Sequence, residues 1–164
     1  MGALVAATCA LVAFIVLWPV AATGPSAIHQ AYLEQGFNVQ AASDLSAASG
    51  GFVDGFPGLL EAKLTLAVTK TEGDIASAHY VGVNQCRLTV LRGKGDAPAA
   101  PSGLRSARWD AGGNWYLALA TGMDLPKFDA ITQYLRQATQ GGLNQNSVLA
   151  MQRATDGAAP CVLS

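Results

Sequence analysis

Positive charge is missing from the first 62 residues of this chain, which contain four acidic residues and no lysine or arginine. Charged residues make up 13% of the whole chain, and the formal net charge is −1. These values exclude the strongly basic face that nucleic-acid-binding proteins use, so no nucleic-acid partner is expected. The missing lysines and arginines also mean that charge near the N-terminus gives no orientation across a membrane.

The usual catalytic motifs are missing as well. The sequence has no Gly-x-Ser-x-Gly elbow, no glycine-rich phosphate loop followed by Lys-Ser/Thr, and no Cys-x-x-Cys pair. Nucleophilic catalysis needs an oriented base beside a Ser or Cys, and a metal site needs several closely placed ligands. His29 and His79 stand apart, and we expect each to be a packed or surface residue. Cys86 with His79 is the one Cys/His pair that a sheet would bring together, and a core thiol or half-cystine is the preferred interpretation of Cys86. The sequence therefore predicts a non-enzymatic protein with no catalytic residues, no cofactor and no metal.

The N-terminus carries instead an uninterrupted apolar run, Ala3–Ala22. A helix of this length covers roughly 30 Å, the thickness of the hydrocarbon core of a bilayer. Trp18 lies near its far end, where an indole suits the membrane interface. We therefore expect a transmembrane anchor over residues 1–24. A cleaved signal peptide is the alternative, because Val20-Ala21-Ala22 permits cleavage, but the run lacks a basic n-region and exceeds the usual ~7–15 apolar residues.

Three cysteines are present. Cys9 lies in the apolar run, where it is expected to be an inert small residue. Cys86 and Cys161 lie far apart in the remaining sequence and would pair in an oxidising compartment, which would tie the C-terminal tail to a strand. Two unrelated buried thiols are the alternative.

The residues after the run have the length of one domain with a single core. They divide into a short helix with an irregular connection (25–62), a sheet-and-helix domain (63–140) and a C-terminal tail (141–164). Alternation of apolar and polar residues predicts strands, and Asp124 is expected to cap a helix that extends to Gly141. The fold class is therefore α+β, with an antiparallel sheet of about five strands and one covering C-terminal helix. The predicted strands are Leu64–Thr69, Ile75–Val83, Cys86–Arg92, Leu104–Asp110 and Trp115–Ala120, after a short helix at Ser26–Gln35 and a short strand near Gly51–Val53; one or two helical turns are expected around Ser147–Ala154.

Large aromatic residues flank one predicted hairpin. Trp109, Trp115 and Tyr116 lie on either side of Gly112-Gly113, whose glycines tolerate the positive φ of a tight turn. If the three rings face one way, they form an interaction surface, since large aromatics often anchor interfaces. The alternative is that at least one Trp belongs to the core and that Tyr116 lies beneath the helix.

The block Ala107–Ala138, with its aromatic-led strand, glycine turn, second strand and acid-capped helix, resembles the periplasmic domain of single-span bacterial anti-sigma factors of the extracytoplasmic-function type. Cys86-Arg87-Leu88-Thr89-Val90 is similar to the strand before it, and Asp44-Leu45-Ser46 with Gly50-Gly51-Phe52 to an early strand region. The resemblance implies a bacterial inner-membrane protein with one span and a periplasmic domain. In that family a cytoplasmic sigma-binding domain precedes the span. Here Met1 and Gly2 precede it, so a segment encoded upstream is an open expectation, and no sigma-binding residue is carried over.

Two functions follow from these features. The first is a membrane-anchored periplasmic regulatory domain that acts through contacts with a protein partner. The second is a single-span accessory subunit of a larger membrane complex, because the short uncharged N-terminus and small residues of the run suit packing against partner helices. An enzyme of unknown type is a third interpretation, which would require an open pocket with convergent polar groups.

Overall fold

The computed structural model describes residues 24–37 and 51–161. This part of the chain has an α+β fold, with a five-stranded antiparallel sheet in the order β3-β4-β5-β7-β6 and a small two-stranded ribbon, β1-β2. The predicted α+β class and the five antiparallel strands are therefore confirmed. The elements are α1 (Pro25–Glu34), β1 (Phe52–Val53), β2 (Phe56–Pro57), β3 (Leu64–Glu72), β4 (Ile75–Gly82), β5 (Arg87–Gly93), β6 (Arg105–Ala111), β7 (Asn114–Thr121), α2 (Leu125–Thr139) and α3 (Gln145–Asp156), with 3₁₀ turns at Leu60–Ala62 and Val83–Gln85.

One face of the sheet, called the α2 face below, carries the main apolar core. Tyr80, Leu88, Val90 and Ala118 point to this side from the three central strands, and each is at most 1% exposed. Full burial of one large aliphatic side chain stabilises a fold by about 1.5–3 kcal/mol, so this layer is the main source of stability. The residues of α2 that pack into the same core are Phe128, Ile131, Tyr134, Leu135 and Ala138.

Local sequence explains where the two C-terminal helices begin. The carboxylate of Asp124 accepts a hydrogen bond from the backbone N–H of Lys127 at 3.1 Å, so the predicted cap of α2 is confirmed. Asn144 and Ser147 form a reciprocal capping box that starts α3. The sequence predicted one or two turns in a tail, but α3 is a 12-residue helix whose Met151 is fully buried in the core. The α2 face is therefore covered by two helices rather than one.

The opposite face, called the α1 face below, is covered as well. Leu91, Leu117 and Leu119 form a smaller apolar cluster there with Trp115, and Ile28 of α1 packs against it. The predicted helix at Ser26–Gln35 is confirmed as α1, but its position over the sheet was not predicted. The sheet is therefore a middle layer between α1 and the α2–α3 pair.

The β6–β7 hairpin has the predicted turn. Gly112 and Gly113 have φ values of 58° and 75°, which an L-residue with a side chain rarely adopts. Ala111 pairs with Asn114 across the turn. Two successive positive φ angles match the twist of the flanking strands, so this dipeptide fixes the register of the hairpin.

Among residues 24–37 and 51–161, no helix is long and apolar enough to cross a membrane. The predicted anchor, Ala3–Ala22, lies outside the described residues. The same is true of the Asp44-Leu45-Ser46 part of the resemblance.

Candidate functional site: a buried histidine pair under helix α1

Two histidines from distant parts of the sequence meet between α1 and the sheet. Nδ1 of His29 lies 2.7 Å from Oγ1 of Thr89, and Nδ1 of His79 lies 2.8 Å from the same oxygen. Nε2 of His29 lies 2.9 Å from Oγ1 of Thr121. Both imidazoles and Thr89 are 0% exposed. These four residues, called the histidine cluster below, fasten α1 to β4, β5 and β7.

The hydroxyl group of Thr89 limits how many protons the cluster holds. It has one hydrogen, so it donates to one imidazole and accepts from the other. With one extra proton on His29, that ring donates to both threonines while Thr89 donates to His79, and all three hydrogen bonds persist. With both rings protonated, both Nδ1 atoms are donors, and the hydrogen of Thr89 loses its acceptor. The geometry therefore accommodates at most one proton beyond the neutral pair.

Burial also opposes protonation of the two rings. Desolvation lowers the pKa of His29 to about 4. Desolvation is the largest cause for His79 too, with the positive charges of His29 and Arg87 adding to it, and its pKa is lowered to about 3. Nε2 of His79 is buried and has no hydrogen-bond partner among the described residues, so a proton placed there would be unpaired. Both imidazoles are therefore neutral at pH 7.

Tyr32 extends the polar contact of α1 by one helical turn. Its ring stacks on the imidazole of His79, with centroids 4.6 Å apart and an interplanar angle of 20°. The hydroxyl group of Ser77 donates to the carbonyl oxygen of Lys70 at 3.2 Å, so the Tyr32 hydroxyl, 2.8 Å from Oγ of Ser77, is the donor of their hydrogen bond. Phe37 places its ring centroid 5.5 Å from that of His79. His29 and Tyr32 are the buried side chains of α1, and their spacing of three puts both on one helix face.

A groove of about 540 Å³ runs beside α1. The helix wall of the groove is lined by Ala27, Ile28, Ala31, Tyr32 and Gln35, and the wall formed by the β3–β4 hairpin is lined by Val68, Lys70, Glu72, Ile75 and Ser77. This volume lies within the range of small-ligand sites, about 300–1,000 Å³. The groove leaves one flank of α1 open to solvent, so the helix is packed along one side.

Cys86 and Cys161 form a disulfide with their Cα atoms 5.1 Å apart. The predicted pairing is therefore confirmed, and it joins the start of β5 to the segment after α3. The side chain of Lys127 is buried next to this bond, with Nζ 3.9 Å from Sγ of Cys86. No sequence pattern connects Lys127 with Cys86, because these residues are 41 positions apart.

The three aromatic residues of the predicted interaction surface are buried and lie on both faces. Trp109 and Tyr116 stack with centroids 5.3 Å apart on the α2 face, and Nε1 of Trp109 donates to Thr139. Trp115 points to the α1 face and donates from Nε1 to the carbonyl oxygen of Lys94. Exposures of 4–6% place all three residues in the interior, as the alternative interpretation has it, and they form no single contact patch because successive strand residues point to opposite faces.

No sequence pattern connects the two histidines, whereas the fold places both within hydrogen-bond distance of Thr89. Each was expected to be a packed or surface residue, and each is indeed buried, but their contact through Thr89 was missed. Two signals were available, and the first was that His29 and Tyr32 are three residues apart in a short helix. The other was the alternation of Ser77 and His79 on a strand whose neighbour carries Thr89.

Within the described ranges, no group of three or more His, Cys, Asp or Glu side chains is placed to hold a metal ion. Comparison with protein-family models, with curated proteins and with solved structures gives no match for this chain.

Proposed function

We propose that this chain is a membrane-anchored domain of the bacterial periplasm that acts through protein contacts, as a regulatory module similar to the periplasmic domain of anti-sigma factors. The position of α1 carries this proposal. The helix begins at Pro25, three residues after the apolar run Ala3–Ala22. It is fastened to the sheet through buried polar side chains rather than through an extensive apolar face. An anchor formed by the run would therefore be connected directly to the histidine cluster.

The disulfide supports the location. Structural disulfides persist in oxidising compartments such as the periplasm and are rare in reducing ones. Cys86 and Cys161 close a loop with a sequence separation of 75 residues. In the chain-entropy model, a loop of this length stabilises the fold by roughly 4–5 kcal/mol.

Helix α1 is the coupling element in this proposal. A regulatory domain needs two states with different contacts, and a partner shifts their populations only as far as it distinguishes them. In the docked state, α1 makes the contacts described above. In the undocked state, water molecules replace the sheet as the partners of these side chains. A partner that binds one of the two states would shift the equilibrium between docked and undocked α1. The residues just before Pro25 would connect this shift to the anchor.

The location is tested with a fusion of alkaline phosphatase to the C-terminus of the full chain, because this reporter folds only outside the cytoplasm. Activity comparable to that of an exported control supports the proposal. An inactive fusion with an active cytoplasmic reporter at the same position contradicts it.

The regulatory role is tested by changing α1 docking in the source organism. His29→Ala and Tyr32→Ala should change the expression of a sigma-dependent stress regulon, and deletion of residues 25–161 should change it as well. Gln30→Ala is the matched control, since Gln30 is exposed on the same helix. An unchanged regulon in the deletion strain contradicts the regulatory role.

The partner is tested by purification of the full chain in mild detergent, followed by mass spectrometry. A sigma factor or a membrane protease in stoichiometric amount supports the regulatory role. A stoichiometric multi-subunit membrane complex contradicts it and assigns the accessory-subunit role instead.

A further inference from the structure

The buried amino group beside the disulfide is an unusual feature of the core. Lys127 is 5% exposed, and its Nζ lies 3.9 Å from Sγ of Cys86. Burial lowers the pKa of Lys127, and the carboxylate of Asp124 nearby opposes that effect. Burying an ammonium group is costly unless an acceptor or an opposite charge compensates. A disulfide sulfur is a weak acceptor, whereas a thiolate at the same position would be a full partner.

The two sulfurs of the bond differ in their surroundings. Cys86 is 2% exposed at the start of β5 and lies beside Lys127. Cys161 is 7% exposed and follows Ala159 and Pro160, which are both exposed. In thiol–disulfide exchange the sulfur with the lower thiol pKa leaves faster. Because the ammonium group of Lys127 favours a thiolate at Cys86, exchange should begin by attack on Cys161.

We propose that the Cys86–Cys161 bond is a site of thiol–disulfide exchange with an external dithiol, in which Lys127 stabilises the departing thiolate of Cys86. A thiolate of the dithiol attacks Sγ of Cys161, a new sulfur–sulfur bond forms, and the Cys86–Cys161 bond breaks with its electron pair on Cys86. The second thiolate of the dithiol then attacks the dithiol's first sulfur, which is bonded to Cys161 in the mixed disulfide. This attack releases Cys161 as a thiolate. The dithiol is oxidised to a disulfide, this chain gains two electrons, and two protons pass from the dithiol to the two cysteines or to solvent.

Reduction would loosen the C-terminal segment. Besides the disulfide, the backbone N–H of Ala159 donates to Oδ2 of Asp124 at 3.3 Å, close to the N-terminus of α2. Ala159 and Pro160 also line a cavity of about 400 Å³ with Arg105. Without the covalent link, this hydrogen bond and the apolar packing of Cys161 in the core of the α2 face hold the segment against that cavity. Exchange would therefore weaken the attachment of the segment at the end of the sheet where β6, β7 and α2 meet.

The first test measures the rate of reduction of the full chain by dithiothreitol at pH 7. Lys127→Met removes the charge at similar volume, and an opposite charge shifts a thiol pKa by about 1–3 units, so reduction should slow about tenfold. Lys94→Met is the matched control and should leave the rate unchanged, because Lys94 is exposed and follows the end of β5 that is opposite to Cys86. Equal rates for the wild type and Lys127→Met would overturn the proposal. Circular dichroism of each oxidised variant verifies that it is folded.

The second test uses the wild-type chain, so it does not depend on the folding of a variant. Brief treatment with glutathione followed by iodoacetamide should leave glutathione on Cys161 and the alkyl group on Cys86, as read by peptide mass spectrometry. Glutathione on Cys86, or an equal distribution over both cysteines, would overturn the assignment of the attacked sulfur.

Discussion

The two faces of the sheet are held by different kinds of contact. On the α2 face, two helices cover fully buried apolar side chains, and a disulfide joins the sheet to the segment after them. On the α1 face, a single helix buries one imidazole and one phenol, both hydrogen-bonded to hydroxyl groups. Apolar packing is nearly independent of pH, whereas protonation of the buried imidazoles is opposed by desolvation, and a second proton leaves the hydroxyl hydrogen of Thr89 without an acceptor. The difference predicts that packing on the α2 face persists as the pH changes, whereas docking of α1 depends on pH.

The same comparison shows which structural features can be predicted from sequence patterns. Alternation and helical periodicity report burial, so they predicted all five sheet strands and α2. They do not report which polar side chains meet: His29 meets His79 through Thr89, which lies 60 residues after His29 in the sequence. The four predictions below compare the two faces, from the largest expected effect to the smallest.

The largest effect is expected from a cavity on the α2 face. Leu135→Ala should lower the free energy of unfolding by about 2–5 kcal/mol, because a fully buried leucine leaves both lost transfer energy and a cavity. Leu125→Ala on the same helix is the matched control, since Leu125 is 55% exposed and should change stability by less than about 0.5 kcal/mol. Urea denaturation measures both. Equal losses at the two positions would contradict the described core.

The second effect is a dependence of stability on pH that arises from the α1 face. The pKa of each buried histidine is lowered, to about 4 for His29 and about 3 for His79, from the unfolded value of 6.5. The unfolded chain therefore binds more protons below pH 6.5, and the free energy of unfolding falls as the pH decreases toward 4. Each histidine contributes up to about 1.4 kcal/mol per pH unit in this window.

Denaturation at pH 7, 6 and 5 measures this slope. The double variant His29→Gln, His79→Gln should reduce it, since neither side chain then titrates. Leu135→Ala should keep it, which separates the two faces. A slope that persists in the double variant would assign the pH dependence to other groups.

A smaller effect is expected from Tyr32→Phe. This change removes the hydrogen bond to Ser77 but keeps the ring that stacks on His79, and Ser77 still donates to the backbone of Lys70. Loss of one neutral hydrogen bond lowers the free energy of unfolding by about 0.5–1.5 kcal/mol. Calorimetry would measure the shift in melting temperature. A larger loss for Tyr32→Phe than for Leu135→Ala would reverse the ranking of the faces.

The smallest effect is expected from the ion pair at the edge of the α1 face. Lys70 and Glu72 form a salt bridge in which both side chains are more than half exposed. Water and salt screen such pairs, and their measured contribution is often undetectable. Lys70→Met should therefore leave the melting temperature unchanged at physiological salt. A marked decrease would give this edge a structural role that its exposure argues against.

Much of the fold was predictable because its signals are local. Asp124 caps α2, Gly112-Gly113 turns the last hairpin, and Leu64 and Leu66 alternate on β3 as the sequence suggested. The full extent of α3 was missed, because its start depends on the capping box of Asn144 and Ser147, which is weaker than an apolar stripe.

The candidate site was less predictable than the fold. The positions of Trp109 and Trp115 depend on strand register, and a shift of one residue moves a side chain to the other face. The pairing of Cys86 with Cys161 was open to an alternative, because sequence does not show distance. The burial of Lys127 beside that disulfide depends on how α2 lies across the sheet, and no sequence pattern reports this packing.

The conditional docking of α1 is tested most directly by hydrogen exchange with mass spectrometry across pH. Protection factors, corrected for the intrinsic pH dependence of exchange, are compared between Pro25–Glu34 and Leu125–Thr139. We expect α1 to exchange by local undocking, so its protection is lower than that of α2 at each pH and falls about tenfold or more per pH unit between pH 6.5 and 4.5. Equal protection of α1 and α2 at every pH, or constant protection of α1, would contradict conditional docking.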